Sequence, residues 1–137
     1  MRIQEEQDRR RREAEIHERL PRSLEEVHRA LAGCIESYRR AFGDESAEIQ
    51  LRGPEIAIAV RENERGEWQE RAVVTVALAP ALPGFRIERE GNPLTIEVGL
   101  LPGDKVCYRA GDQYLTVEEL TRRILDRALF PKLEAEG

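Results

Sequence analysis

Paired carboxylates are the most abundant chemical resource in this chain: Glu25/Glu26, Glu62/Glu64, Glu88/Glu90 and Glu118/Glu119. Two carboxyls do general acid–base work only where their surroundings drive the two pKa values apart. Glu26 and Glu119 occupy helix-capping positions, and the others fall in turns or on polar faces, so all read as solvated surface. The two histidines, His17 and His28, are separated by Pro21, and His17-Glu18 lacks the second histidine that a zinc-protease helix requires. Cys34 and Cys107 form no CxxC and have no histidine at metal-ligand spacing. They are expected to be reduced and packed as small apolar groups. No glycine-rich phosphate loop and no G-x-S-x-G elbow occurs. The residues therefore nominate no catalytic group, no cofactor and no metal, and the reading leans away from an enzyme.

One charge run, Arg9-Arg10-Arg11-Arg12, has the chemistry to meet an anion, an RNA or an acidic partner. The acids flanking it cancel most of its field beyond a Debye length of about 8–10 Å. No Phe, Tyr or Trp precedes Tyr38 to stack on a base. A solvated or partner-contacting helix is the better expectation.

These residues need elements to position them. Residues 1–22 hold seven arginines and six acids, with Glu5/Arg9, Glu6/Arg10, Asp8/Arg12 and Glu15/Arg19 at the favourable i,i+4 spacing. That pattern predicts a charged helical arm, ended at Leu20 by Pro21. Ser23-Leu24-Glu25-Glu26 has capping-box spacing and opens a second helix over 24–42. Val27, Leu31, Cys34, Ile35, Tyr38 and Phe42 supply its apolar side, and Gly43 suits the position just past its end.

From 47 to 109 the period changes from 3.6 to 2. Ile49 and Leu51, then Ile56, Ile58 and Val60, alternate with polar or small residues. A turn at 63–66 makes 55–62 and 68–79 a hairpin. Alternation resumes at Phe85/Ile87, at Leu94/Ile96/Val98 and over 105–109, and Ala110-Gly111-Asp112 ends the sheet. Thr116-Val117-Glu118-Glu119 is a second capping box, and the helix after it stops near Pro131. The fold class is α+β: an antiparallel sheet of about five strands, an N-terminal and a C-terminal helix on one face, and the charged arm. Residues 1–22 are the arm and 23–137 a single domain.

Composition sets the limits. Of 137 residues 40% are apolar and 36% charged, the latter well above the usual ~25%. The net charge of −5 opposes binding to phosphate backbones. All but two of the 22 cations are arginine, the lysines being Lys105 and Lys132, a usage that points to a GC-rich bacterial genome. No apolar leader segment and no membrane-spanning stretch is visible, so the expected location is cytoplasmic.

The most informative pattern is apolar excess on both parities of two strands. Val74, Val76 and Leu78 occupy one side of 69–79, and Val73, Thr75, Ala77 and Ala79 the other; Ala57 and Ala59 back Ile56, Ile58 and Val60. Paired centrally, these strands put a smooth small-residue stripe on the face without helices, and exposed contiguous apolar surface marks contacts. The expectation is a non-enzymatic interaction domain, a homodimer or other partner-binding protein. Its contacts are Ala57, Ala59, Val73, Thr75 and Ala77, with Arg9, Arg10, Arg11 and Arg12 reaching a partner. The alternative is a small-molecule-binding domain or enzyme with a pocket between sheet and helices, lined by Tyr38, Cys107, Tyr108 and Tyr114. Trp68 is expected to anchor a sheet corner.

Overall fold

A computed structural model describes residues 2–131. Helix α1 (Arg2–Phe42) leads into seven strands: β1 (Ala47–Arg52), β2 (Glu55–Glu64), β3 (Glu67–Ala79), β4 (Gly84–Arg89), β5 (Leu94–Leu101), β6 (Lys105–Ala110) and β7 (Gln113–Leu115). Helix α2 (Val117–Leu129) follows. The strands pair antiparallel in chain order, β1 to β7. Short connections dictate this, because parallel neighbours need long crossovers.

The α+β class and the antiparallel sheet follow the sequence; the strand count is seven where about five were expected. Beyond the anticipated end at Gly111-Asp112 the chain turns back, and β7 pairs with β6 through Tyr108↔Leu115 and Ala110↔Gln113.

One parity of the strands builds the core. Ile56, Ile58, Val60, Val74, Val76, Phe85, Ile87, Ile96 and Val98 are buried against Leu20, Leu24, Val27, Leu31 and Ile35 of α1 and Leu120, Ile124 and Leu125 of α2. Both helices therefore cover the same face. Among the described residues no helix is long and apolar enough to cross a membrane.

The helix break expected at Pro21 does not occur. Pro21 lies inside one continuous α1, and Ser23, expected as an N-cap, is buried within it. An interior proline costs about 3 kcal/mol. Ile16 and Leu20, both buried, contribute ~1.5–3 kcal/mol each when the helix stays in phase through it. Packing over the sheet overrides the local breaker. Burial along α1 begins at Ile16, so the stretch read as an arm divides into an exposed part and a docked part. His17 Nε2 lies 2.7 Å from the Pro80 carbonyl, and Arg19 donates to the Asp104 carbonyl, which fixes the docked part to the loops after β3 and β5.

The ends of the elements follow their residues. Gly43 has φ +112° and donates to the Arg39 carbonyl at 2.7 Å, ending α1. The Trp68 ring packs against it, 3.4 Å from where a Cβ would sit. Thr116 and Glu119 form the capping box of α2. Gly84 is required where β4 meets β5, since a Cβ there would lie 1.8 Å from the Ile96 carbonyl oxygen.

Candidate protein-interaction surface

The face of the sheet away from the helices is built by the second parity. Ala57 pairs with Thr75, Ala59 with Val73, and Glu55 with Ala77. The Leu78 amide donates to the Pro54 carbonyl at 2.9 Å. By alternation, Ala57/Thr75 and Ala59/Val73 are the close, non-hydrogen-bonded pairs of this ladder. All five stripe residues are thus brought together. Val73 is 45% exposed; the other four are half-buried.

The stripe is narrow. Toward β1 its rows end in Glu48, Gln50 and Arg52, and toward β4 in Glu88 and Arg86. Beyond these the face carries an Arg109–Glu97 ion pair. Two strands at ~4.8 Å spacing and six residues at ~3.3 Å make an apolar centre of roughly 10 by 20 Å. It is a small apolar centre with a rim of both charge signs.

The arginine run does not join it. Successive helical residues are turned by ~100°, so Arg9 to Arg12 point around the arm. Arg9 is held between Glu6 and Glu13 (2.6 Å to Glu13), and Arg10 lies 3.1 Å from Glu6. Glu6 is held below the usual carboxylate range by these guanidinium groups. The arm continues the helix layer and lies on the other side of the sheet from the stripe. Of the expected i,i+4 pairs Glu6–Arg10 forms, while Arg19 turns to the Asp104 carbonyl.

The residues expected to line a pocket are dispersed. Tyr38 lies on α1, with Phe42 and Phe130 at centroid distances of 4.6 and 5.9 Å. Cys107 pairs with Gly99 on the helix-free face, and Tyr114 is 60% exposed. Tyr108 points into the core beside Phe85. Its hydroxyl makes no well-formed hydrogen bond. Burial, reinforced by the charge of Glu26, pushes its pKa up to about 12, offset in part by the nearby Ser23 hydroxyl.

An apolar hollow does form between the two helices rather than between sheet and helices, an open groove of about 690 Å³, and of the four expected residues Tyr38 alone is in its wall. Gly33, Cys34 and Ala41 floor one wall, Thr121 and Leu125 the other. Cys34, expected to pack as a small apolar group, is instead exposed on the groove wall; its partial desolvation there, with the charge of Asp126, pushes the thiol up, which keeps it protonated near neutral pH and a poor nucleophile. The helical period marks Cys34 and Leu125 as apolar-face residues, but the groove depends on how the two helices sit side by side.

Sequence reasoning also missed Arg71. The β2–β3 register shifts between Val60 and Arg61 and leaves Arg71 as the extra residue on β3. Such a bulge re-aims a side chain. Arg71 donates to the Ala128 and Leu129 carbonyls at 2.7 and 3.2 Å, so a cation caps the negative end of α2. Comparison of the chain with protein-family models, with curated proteins and with solved structures gave no match in any of the three.

Proposed function

We propose that this chain is a non-enzymatic, bacterial, cytoplasmic protein-interaction domain that self-associates through the helix-free face of its sheet. The observation that carries this reading is the contiguous Ala57–Ala59–Val73–Thr75–Ala77 stripe, apolar at its centre and ringed by Glu48, Arg52, Arg86 and Glu88. Small side chains let two sheet faces approach to the ~10 Å spacing of stacked sheets. The mixed signs of the rim let each charge meet an opposite one in a second copy and disfavour other partners.

Light scattering on the full chain tests this. The intact protein is expected to exceed monomer mass at tens of micromolar. Val73→Asp, which places a carboxylate at the most exposed point of the stripe, is expected to lower that mass without changing the circular dichroism spectrum. An unchanged mass in Val73→Asp, or a monomeric intact protein, overturns the reading.

A further inference from the structure

The sheet has a second surface with a distinct geometry, its β1 edge. Among the described residues no strand lies outside β1, and apart from the charges of Glu48 and Arg52 on its other face the strand lacks the usual protections of an edge. The strand has six residues with no proline, no register break against β2, and Ala47, Ile49 and Leu51 rather than a charge on its helix-facing side. We infer that β1 pairs antiparallel with β1 of a second copy about a two-fold axis at Gln50, opposing Glu48 to Arg52 and Ile49 to Leu51. This surface shares Glu48 and Arg52 with the rim of the stripe, but its pairing runs through the β1 backbone and stands whether or not sheet faces stack.

Three independent observations fix that register. The first is the direction of the free backbone groups. The Ser46 carbonyl accepts from the Arg61 amide at 2.7 Å, in line with the pairing of Ala47 to Val60. By alternation residues 48, 50 and 52 turn their amides and carbonyls toward β2, while 47, 49 and 51 turn theirs to the empty edge. With the axis at Gln50, Ile49 and Leu51 of opposite copies exchange both backbone bonds.

The second is charge. The same axis makes Glu48 and Arg52 of opposite copies a non-hydrogen-bonded pair, the closer kind, and it does so twice by symmetry. Arg52 forms no ion pair among the described residues, whereas Glu48 is 50% exposed and touches Arg61 at 2.9 Å through one oxygen. Moving the axis to Ile49 sets Glu48 against Gln50, moving it to Leu51 sets Glu48 against Pro54, and either loses both pairs.

The third is shape. Leu51 is 39% exposed, and a hollow of about 380 Å³ opens at this edge between α1 and β1, with Ala32, Ile35 and Ile49 at its apolar part and Glu36, Arg39, Arg40 and Asp44 around them. Leu51 of the second copy, placed opposite Ile49 on the same face, lies over that hollow.

Amide hydrogen exchange on the full chain over a concentration series, read beside sedimentation, tests the inference. Protection of Ile49 and Leu51 amides is expected to rise at least tenfold with association, while Gln50, whose amide already faces β2, stays constant. Arg52→Glu is expected to weaken the edge pair about tenfold, since two attractive cross-strand pairs become repulsive. The swap Glu48→Arg/Arg52→Glu restores it to within about threefold. In Val73→Asp, which addresses only the sheet face, the protection of Ile49 and Leu51 is expected to remain. Exchange at Ile49 and Leu51 that ignores concentration, a swap that restores nothing, or protection lost in Val73→Asp would each overturn edge pairing.

Discussion

Tyr108 and Arg71 show how much a single side chain depends on which way its strand turns it. Tyr108 faces the core, where burial raises its pKa from 10.0 to about 12. Its neutral form is favoured in the folded state, so the stabilisation is complete below about pH 10 and is lost as pH climbs to about 12. Chemical denaturation across that window is expected to show stability falling, and falling less steeply in Tyr108→Phe. Because the hydroxyl lacks a well-formed partner, Tyr108→Phe is expected to be neutral or stabilising at pH 7. Arg71 is the opposite case. Its two bonds to the end of α2 are charge-assisted, and Arg71→Met is expected to cost about 1–3 kcal/mol in urea titration. Lysine should not rescue it, because one ammonium does not reproduce the guanidinium fork. Neither role was legible from the sequence. Cys107 and Tyr108 are strand neighbours, so alternation alone already forbids a shared pocket, but Arg71 acquires its direction from a register shift that no local pattern announces.

At the scale of elements, strong periodicity was readable and exceptions to local rules were not. Alternation at Ile56–Val60, Val74–Leu78 and Leu94–Val98 located the strands and their buried side. The Thr116/Glu119 capping box located α2. The break at Pro21 failed because the proline's local effect is smaller than the burial of Ile16 and Leu20 beyond it. The terminal β7 was missed because three residues are too few to display a period. Continuity of α1 makes its own prediction. Pro21 is exposed and contributes no core contact, so Pro21→Ala is expected to stabilise the protein by about 1–3 kcal/mol. A neutral or destabilising result in thermal or urea unfolding would mean that the helix is interrupted there.

Considered whole, the molecule is a two-layer plate whose helices cover one side, leaving the stripe and the β1 edge for contact. The stripe was legible because parity is a property of sequence. The edge was not, because Glu48, Gln50 and Arg52 look like any polar side of a strand until β1 is known to be outermost. A two-fold across the sheet face and another through the β1 edge are compatible, and when perpendicular they close an assembly of D2 symmetry. Val73→Asp leaves the edge pair, Arg52→Glu weakens the edge pair about tenfold and also reverses one charge of the stripe's rim, and the two together weaken both contacts. Sedimentation equilibrium on the full-length chain and these three variants is the most direct measurement. The account predicts the largest mass for the intact protein, about half that mass in Val73→Asp, a smaller reduction in Arg52→Glu and the lowest mass in the double variant. A Val73→Asp protein that sediments like the intact one would contradict it.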